Sequence, residues 1–162
     1  MGGGQPGEGG RLLAVSDLHV RYADNRDVVD RLRPAHADDW LIVAGDVAER
    51  VADIARVLAL LADRFARVVW TPGNHELWTT GRGDVPLRGE ARYRHLVDVA
   101  RGLGVVTPED PYPVWDGAGG PAVVAPVFAL YDYTFLPAGA PDTAAALALA
   151  WERGVVCTDE MF

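Results

Sequence analysis

Three short strings place carboxylates, imidazoles and a carboxamide where they could hold metal ions: Ser16-Asp17-Leu18-His19, Ala44-Gly45-Asp46 and Gly73-Asn74-His75-Glu76. Each follows an apolar run that reads as a buried strand, namely Leu12-Leu13-Ala14-Val15, Trp40-Leu41-Ile42-Val43 and Val68-Val69-Trp70. The strings recur at roughly 30-residue intervals, the length that a strand, a crossover helix and a second parallel strand require. In a parallel sheet, neighbouring strands lie about 4.8 Å apart, and ligands bind beyond the carboxyl ends of the strands. Oxygen and nitrogen donors from three adjacent strand ends would therefore converge on one crevice. Two metal ions in a hydrolytic site lie about 3.5–4 Å apart, so a carboxylate on the middle strand is suited to touch both. Asp46 is the candidate bridge.

These strings resemble the calcineurin-like metallophosphoesterase family, whose opening blocks read D-x-H, G-D and G-N-H-[ED] at this spacing. The resemblance covers roughly the first half of such a domain, and its specificity lies in the conjunction of the three blocks. It implies an α/β fold, a metallophosphoesterase-type α/β sandwich of two facing mixed sheets flanked by helices. It also implies that Asp17 and His19 bind the first metal, Asp46 bridges, Asn74 binds the second metal and His75 protonates the leaving group. Gly45 and Gly73 would keep the loops tight. Glu76 completes the third block, with a supporting or helix-capping role rather than a place among the ligands. The activity implied is that of a hydrolase acting on phosphoric esters, with a hydroxide shared by two divalent cations attacking phosphorus in line. Hard oxygen donors and neutral imidazoles suit Mn²⁺, Fe or Zn²⁺.

The family completes its site with two later blocks, a lone metal-binding His and a G-H-x-H turn. The only histidines here are His19, His36, His75 and His95. On the family pattern the first metal keeps Asp17, His19 and Asp46, whereas the second keeps only Asp46 and Asn74. Weak metal binding is expected, and with it weak or absent activity. Gly154 to Asp159 reads as a strand entering a loop, so the expected fold is incomplete at its carboxyl end, as in a fragment. Residues 1–10 read as a flexible Gly-rich tail and residues 11–162 as the amino-terminal part of a single metallophosphoesterase domain. The alternative is a non-catalytic remnant that acts as a binding or regulatory module. A nucleotide-binding α/β protein is disfavoured, because no G-x-G-x-x-G or Walker loop follows the first strand.

Composition narrows the partners. The formal net charge of −8 argues against a nucleic-acid surface, and all 15 basic residues are Arg. Bound cations would offset part of this acidity, which makes a small-molecule or other phosphoester substrate compatible with it. The single cysteine, Cys157, excludes an internal disulfide and suits a reducing cytoplasmic location. The first ten residues lack the charge and apolar stretch of a signal peptide, and no run approaches the roughly 20 apolar residues of a membrane span.

Between the strings, helices are expected to carry the chain back across the sheet. The first runs from about Asn25 to Arg33 and is ended by Pro34, with Val28, Val29 and Leu32 towards the sheet. The second has Val51, Ile54, Val57, Leu58, Leu61 and Phe65 on one stripe. A third spans Arg88 to Gly102, with Tyr93, Leu96, Val97 and Ala100 inward and Gly102 stopping it. Short strand candidates follow at Val105-Val106, Tyr112 to Trp115 and Ala122 to Leu130, expected to begin the second sheet, with Pro126 at an edge or bulge. Tyr131 to Phe135 reads as a loop packing aromatics on the core, with aromatic groups at a cleft rim that stack on an organic phosphate ester as the alternative. Thr143 to Arg153 is an Ala-rich helix expected to be anchored by Trp151. His36 and His95 read as solvated or locally paired.

Overall fold

In the computed structural model, which describes residues 9–79, 84–129, 132 and 134–155, strands and helices alternate as the spacing predicts. The order is β1 (Leu12–Val15), α1 (Ala23–Arg31), β2 (Trp40–Ala44), α2 (Val51–Arg64) and β3 (Arg67–Thr71). The three strands form a parallel sheet with β2 in the middle, pairing Leu13 with Leu41 and Leu41 with Val68. Successive side chains of a strand point to opposite faces, and here both faces are covered, which is why the runs read as continuously apolar. Leu13, Val15, Leu41, Val43, Val68 and Trp70 pack on the helices, against Val29 of α1 and Ile54, Val57, Leu58 and Leu61 of α2. Leu12, Trp40, Ile42 and Val69 face the other way.

Helix α1 begins two residues earlier than expected and ends at Arg31 rather than Arg33. The residue before a proline is pushed out of helical geometry, and the carbonyls exposed by the early stop are taken up elsewhere. Arg64 of α2 donates to the Val29 and Leu32 carbonyls at 2.9 and 3.0 Å. Val28, expected to face the sheet, is exposed. Helix α2 follows the predicted stripe closely. Its N-cap residue, Arg50, offers no acceptor, and the Asp84 carboxylate instead caps it, accepting from the N–H groups of Val51 and Ala52 at 3.0 and 2.7 Å.

After β3 come a single helical turn, α3 (Asn74–Leu77), and the longer α4 (Gly89–Gly102). Helix α4 buries Arg92, Leu96, Val97 and Ala100. Arg92 thus holds a core position for which no inward residue was expected, and Tyr93 is only half-buried.

Val105-Val106 does not start a second sheet. The chain turns through Gly104 (φ +74°) and runs beside the outer edge of β3, where Trp70 N–H donates to the Val106 carbonyl (2.8 Å) and Val106 N–H to that of Val68 (3.0 Å). Unpaired edge groups of β3 are satisfied in this way. The facing layer is the antiparallel hairpin β4 (Val114–Trp115) and β5 (Ala122–Val123). Trp115 and Val124 pack on Val69, and Trp115 meets Trp40 edge to face at 5.2 Å. Among the described residues the two facing sheets are therefore one parallel and one antiparallel. The long run beginning at Ala122 forms a strand only to Val123, so Pro126 lies outside it.

The described residues fall into two compact units, one up to residue 128 and the other from residue 129. In the second, α5 (Thr143–Glu152) starts at Asp142, whose carboxylate accepts from Ala145 N–H at 2.8 Å. Trp151 is 70% exposed and does not anchor this helix, which carries Ala and Leu all round rather than on one stripe. Phe135 is exposed rather than packed on a core, whereas Tyr131, Tyr133, Cys157 and most of the expected terminal strand lie outside the described residues. Among the described residues no helix is long and apolar enough to cross a membrane.

Candidate metal centre

The loops leaving β1 and β2 are strained where the chemistry would lie. Asp17, His19 and Asp46 adopt φ of 55°, 38° and 55°, a left-handed conformation that costs a residue with a side chain about 1–2 kcal/mol. The parallel pairing continues past the strand ends and holds it. Asp17 N–H donates to the Gly45 carbonyl (3.2 Å), His19 N–H to that of Asp46 (2.9 Å) and Val20 N–H to that of Val47 (3.0 Å). Backbone strain gathered at neighbouring strand ends is a mark of a functional site.

Two glycines permit the approach of these loops. Gly45 has φ +77°, and a Cβ there would lie 2.5 Å from the Gly73 nitrogen. A Cβ on Gly73 would run into the Asp46 carboxylate. Both behave as the sequence reading expected.

His19, Asp46 and His75 each bring one ligand atom to within 4.8 Å of the others. Asp17 lies at the margin of this group, its Oδ1 3.7 Å from His19 Nε2 and its side chain 68% exposed. Asn74 opens α3, beside His75. Asp46 Oδ1 also accepts from the His75 backbone N–H at 3.2 Å, which ties the second loop to the third. Carboxylate oxygens and imidazole nitrogens at the carboxyl edge of a sheet fit a divalent cation. The grouping includes His75, which the resemblance set apart as a proton donor. Its Nδ1 faces Glu49 Oε1 at 3.4 Å, leaving Nε2 as the ring nitrogen clear of that contact. His36 is exposed and bonded locally to Asp39, and neither it nor His95 belongs to the group.

Four residues outside the expected ligand and acid set surround this centre, of which Glu76 was expected in a supporting or helix-capping role. Glu76 is fully buried and accepts from three backbone N–H groups, those of Asp46 (3.0 Å), Gly73 (2.9 Å) and Val47 (2.8 Å). Burial pushes its carboxyl up to about 7, against the pull of the Val47 and Gly73 donors, and the neighbouring Asp46 carboxylate adds to the rise. Glu49, three residues after Asp46, faces His75. Arg92 is buried and donates from Nε to the Glu76 carbonyl (2.6 Å) and from its terminal nitrogen to that of Glu49 (2.5 Å). Trp78 stacks on His75, ring centroids 3.6 Å apart. For Arg92 a signal was present in the sequence: an arginine sits on the stripe that continues through Leu96 and Ala100. For Glu49 it was the short step from Asp46 along one loop.

A parallel sheet whose three strand ends present this donor set defines a metallophosphoesterase. The family model for calcineurin-like phosphoesterases matches residues 10–150, and the chain belongs to that family. Among its relatives is the [acyl-carrier-protein] phosphodiesterase PptH of Mycobacterium tuberculosis, 56% identical over 149 residues. The crystal structure of that organism's phosphopantetheinyl hydrolase (PptH) superposes with a TM-score of 0.93 at 54% identity and covers 96% of this chain. The chain spans about half the length of these relatives, 46% of the first and 55% of the second.

Proposed function

We propose that this chain carries a metal-dependent phosphodiesterase centre acting on the phosphopantetheinyl ester of an acyl-carrier protein. The observation that carries the reading is the convergence of His19, Asp46 and His75 within 4.8 Å on strained strand-end loops. The substrate class is taken from the relative that is 56% identical over 149 residues. Asp17, His19 and Asp46 would hold one cation, and Asp46 with Asn74 a second, with Mn, Fe and Zn as the candidates. When bound, such cations would acidify water and offset the charge that builds on the phosphoryl oxygens.

The chain's own residues supply the rest. His75, its Nδ1 on Glu49, presents Nε2 to the ester oxygen and gives it a proton as it leaves, a contribution of about 10²–10⁴-fold. Glu49, facing Nδ1, stabilises the charge the imidazole carries before transfer. The one cysteine fits a cytoplasmic setting.

Mn²⁺-dependent hydrolysis of bis(p-nitrophenyl) phosphate and release of phosphopantetheine from holo-carrier protein test the reading, with Asp46→Asn as the control. Turnover abolished by that substitution is the expected result. Turnover equal in both proteins would assign it to a contaminant and overturn the reading. With the ligands of three blocks only, slow turnover and weak cation binding are expected. His75→Ala is expected to lose rate while retaining most of its Mn²⁺ affinity, measured by calorimetric titration; an equal loss of metal would make His75 a ligand instead.

A further inference from the structure

Resting on the assignment of His75 as the leaving-group acid, we propose that Trp78 is the positioning residue that sets the orientation of its imidazole. The His75 ring is held on three sides. The indole of Trp78 lies over it at a tilt, centroids 3.6 Å apart and planes at 32°. The His19 ring meets it edge to face, at 4.5 Å and 70°. Glu49 faces Nδ1 at 3.4 Å.

That last contact is long for a hydrogen bond and by itself leaves the ring free to turn about its bond to Cβ. An indole whose centre is only 3.6 Å away removes this freedom, because rotation of the imidazole would drive its edge into the larger ring. The backbone delivers the indole to this place. Helix α3 is one turn long, and Trp78 follows it with extended backbone while its N–H still donates to the His75 carbonyl (3.3 Å). Residues three apart on a turn share a face, so the indole folds back over the imidazole.

The functional consequence follows from the tolerance of proton transfer to geometry. A general acid must come within about 2.6–3.2 Å of its acceptor, and a misplacement of about 1 Å can cost on the order of 10²-fold. An alkyl leaving group, as in a phosphopantetheinyl ester, needs the proton. A p-nitrophenyl group departs as a stable anion and needs it far less. Loss of Trp78 should therefore be felt selectively by the alkyl ester.

The first arm of the test is NMR of the histidine-labelled chain, and it needs neither metal nor turnover. His75 ring protons are expected upfield, with cross-relaxation to both the indole and the His19 ring. Trp78→Ala should remove the upfield shift and the contact to His19, and Trp78→Phe should keep both. If Trp78→Ala keeps the contact to His19, the indole does not orient the ring and the proposal is overturned.

The second arm is steady-state kinetics of the Mn²⁺-loaded protein. Trp78→Ala should lower kcat on holo-carrier protein by about 10–10²-fold, with KM and Mn²⁺ affinity little changed and a much smaller loss on bis(p-nitrophenyl) phosphate. Trp78→Phe should restore most of it. Equal losses on the two substrates, a loss in KM alone, or a loss of metal would each overturn the proposal. His75→Ala serves as the reference: if it shows no dependence on the leaving group, the acid role of His75 fails, while the NMR arm still judges the positioning by Trp78.

Discussion

Glu76 sits next to the proposed acid yet serves the centre through backbone alone. Its two oxygens gather N–H groups from the loops after β2 and β3, residues nearly 30 positions apart in the chain, so that Asp46 and the start of α3 move as one piece. An amide in its place would set an NH₂ group against those donors. Glu76→Gln is therefore expected to destabilise the fold by about 1–3 kcal/mol, read as a lower urea midpoint at unchanged slope, and to weaken Mn²⁺ binding in parallel. Arg92 ties the same pieces from the other side, through the carbonyls of Glu49 and Glu76. Burial lowers the pKa of its guanidinium against the pull of the Asp84 and Glu76 carboxylates, and a buried charge is a costly way to fill a core. Because the two residues meet at Glu76, Glu76→Gln and Arg92→Met should be non-additive, with a coupling of about 0.5–3 kcal/mol in a double-mutant cycle.

The strand-end loops are the elements on which the site depends, and their glycines and caps set their shape. Gly45→Ala must carry a methyl at φ +77° and 2.5 Å from the Gly73 backbone. A loss of more than about 1 kcal/mol in denaturant unfolding is expected, with Mn²⁺ affinity falling as the loops separate. On the opposite end of the sheet, Asp39 joins the start of β1 to the approach to β2. Its carboxylate accepts from the Arg11 N–H (2.7 Å) and guanidinium (3.2 Å) and from the N–H groups of Ala35 (2.8 Å) and His36 (3.1 Å). Burial would raise this carboxyl, but those donors outweigh it and hold the group well below the usual carboxylate range. A depressed folded value means that the stabilisation is fully present above the unfolded value of about 3.9 and is lost as pH falls through the folded value. Urea midpoints should drop below about pH 4, and Asp39→Asn should be less stable at neutral pH with a flatter acid limb.

At the scale of the molecule, a cation that binds only the folded chain stabilises it by mass action. Free Mn²⁺ at about 100 times its dissociation constant should add about 2.7 kcal/mol, seen as a higher Tm in calorimetry and reversed by EDTA. Asp46→Asn should remove the effect. A Tm that stays indifferent to Mn²⁺ and Zn²⁺ would argue that Asp17, His19, Asp46 and Asn74 hold no metal. The net charge of −8 gives such binding a favourable background, which high salt should weaken.

The sequence by itself determined the parallel βα alternation, the strand-end position of Asp17, His19, Asp46, Asn74 and His75, and the family. Those properties follow from local periodicity and from spacing along the chain, which survive without knowledge of what packs where. Only the tertiary structure decided that Val106 joins the first sheet rather than a second, because an edge strand takes whichever returning segment satisfies its backbone. It alone placed Glu49, Arg92 and Trp78 around the centre and gave Glu76 its three backbone donors. Their hydrogen bonds and ring contacts run largely across loops distant in sequence, and nothing in residue type distinguishes a carboxylate on solvent from one that accepts three buried N–H groups. The positive φ angles at Asp17, His19 and Asp46 were equally hidden, since strain at a residue with a side chain is imposed by the pairing around it.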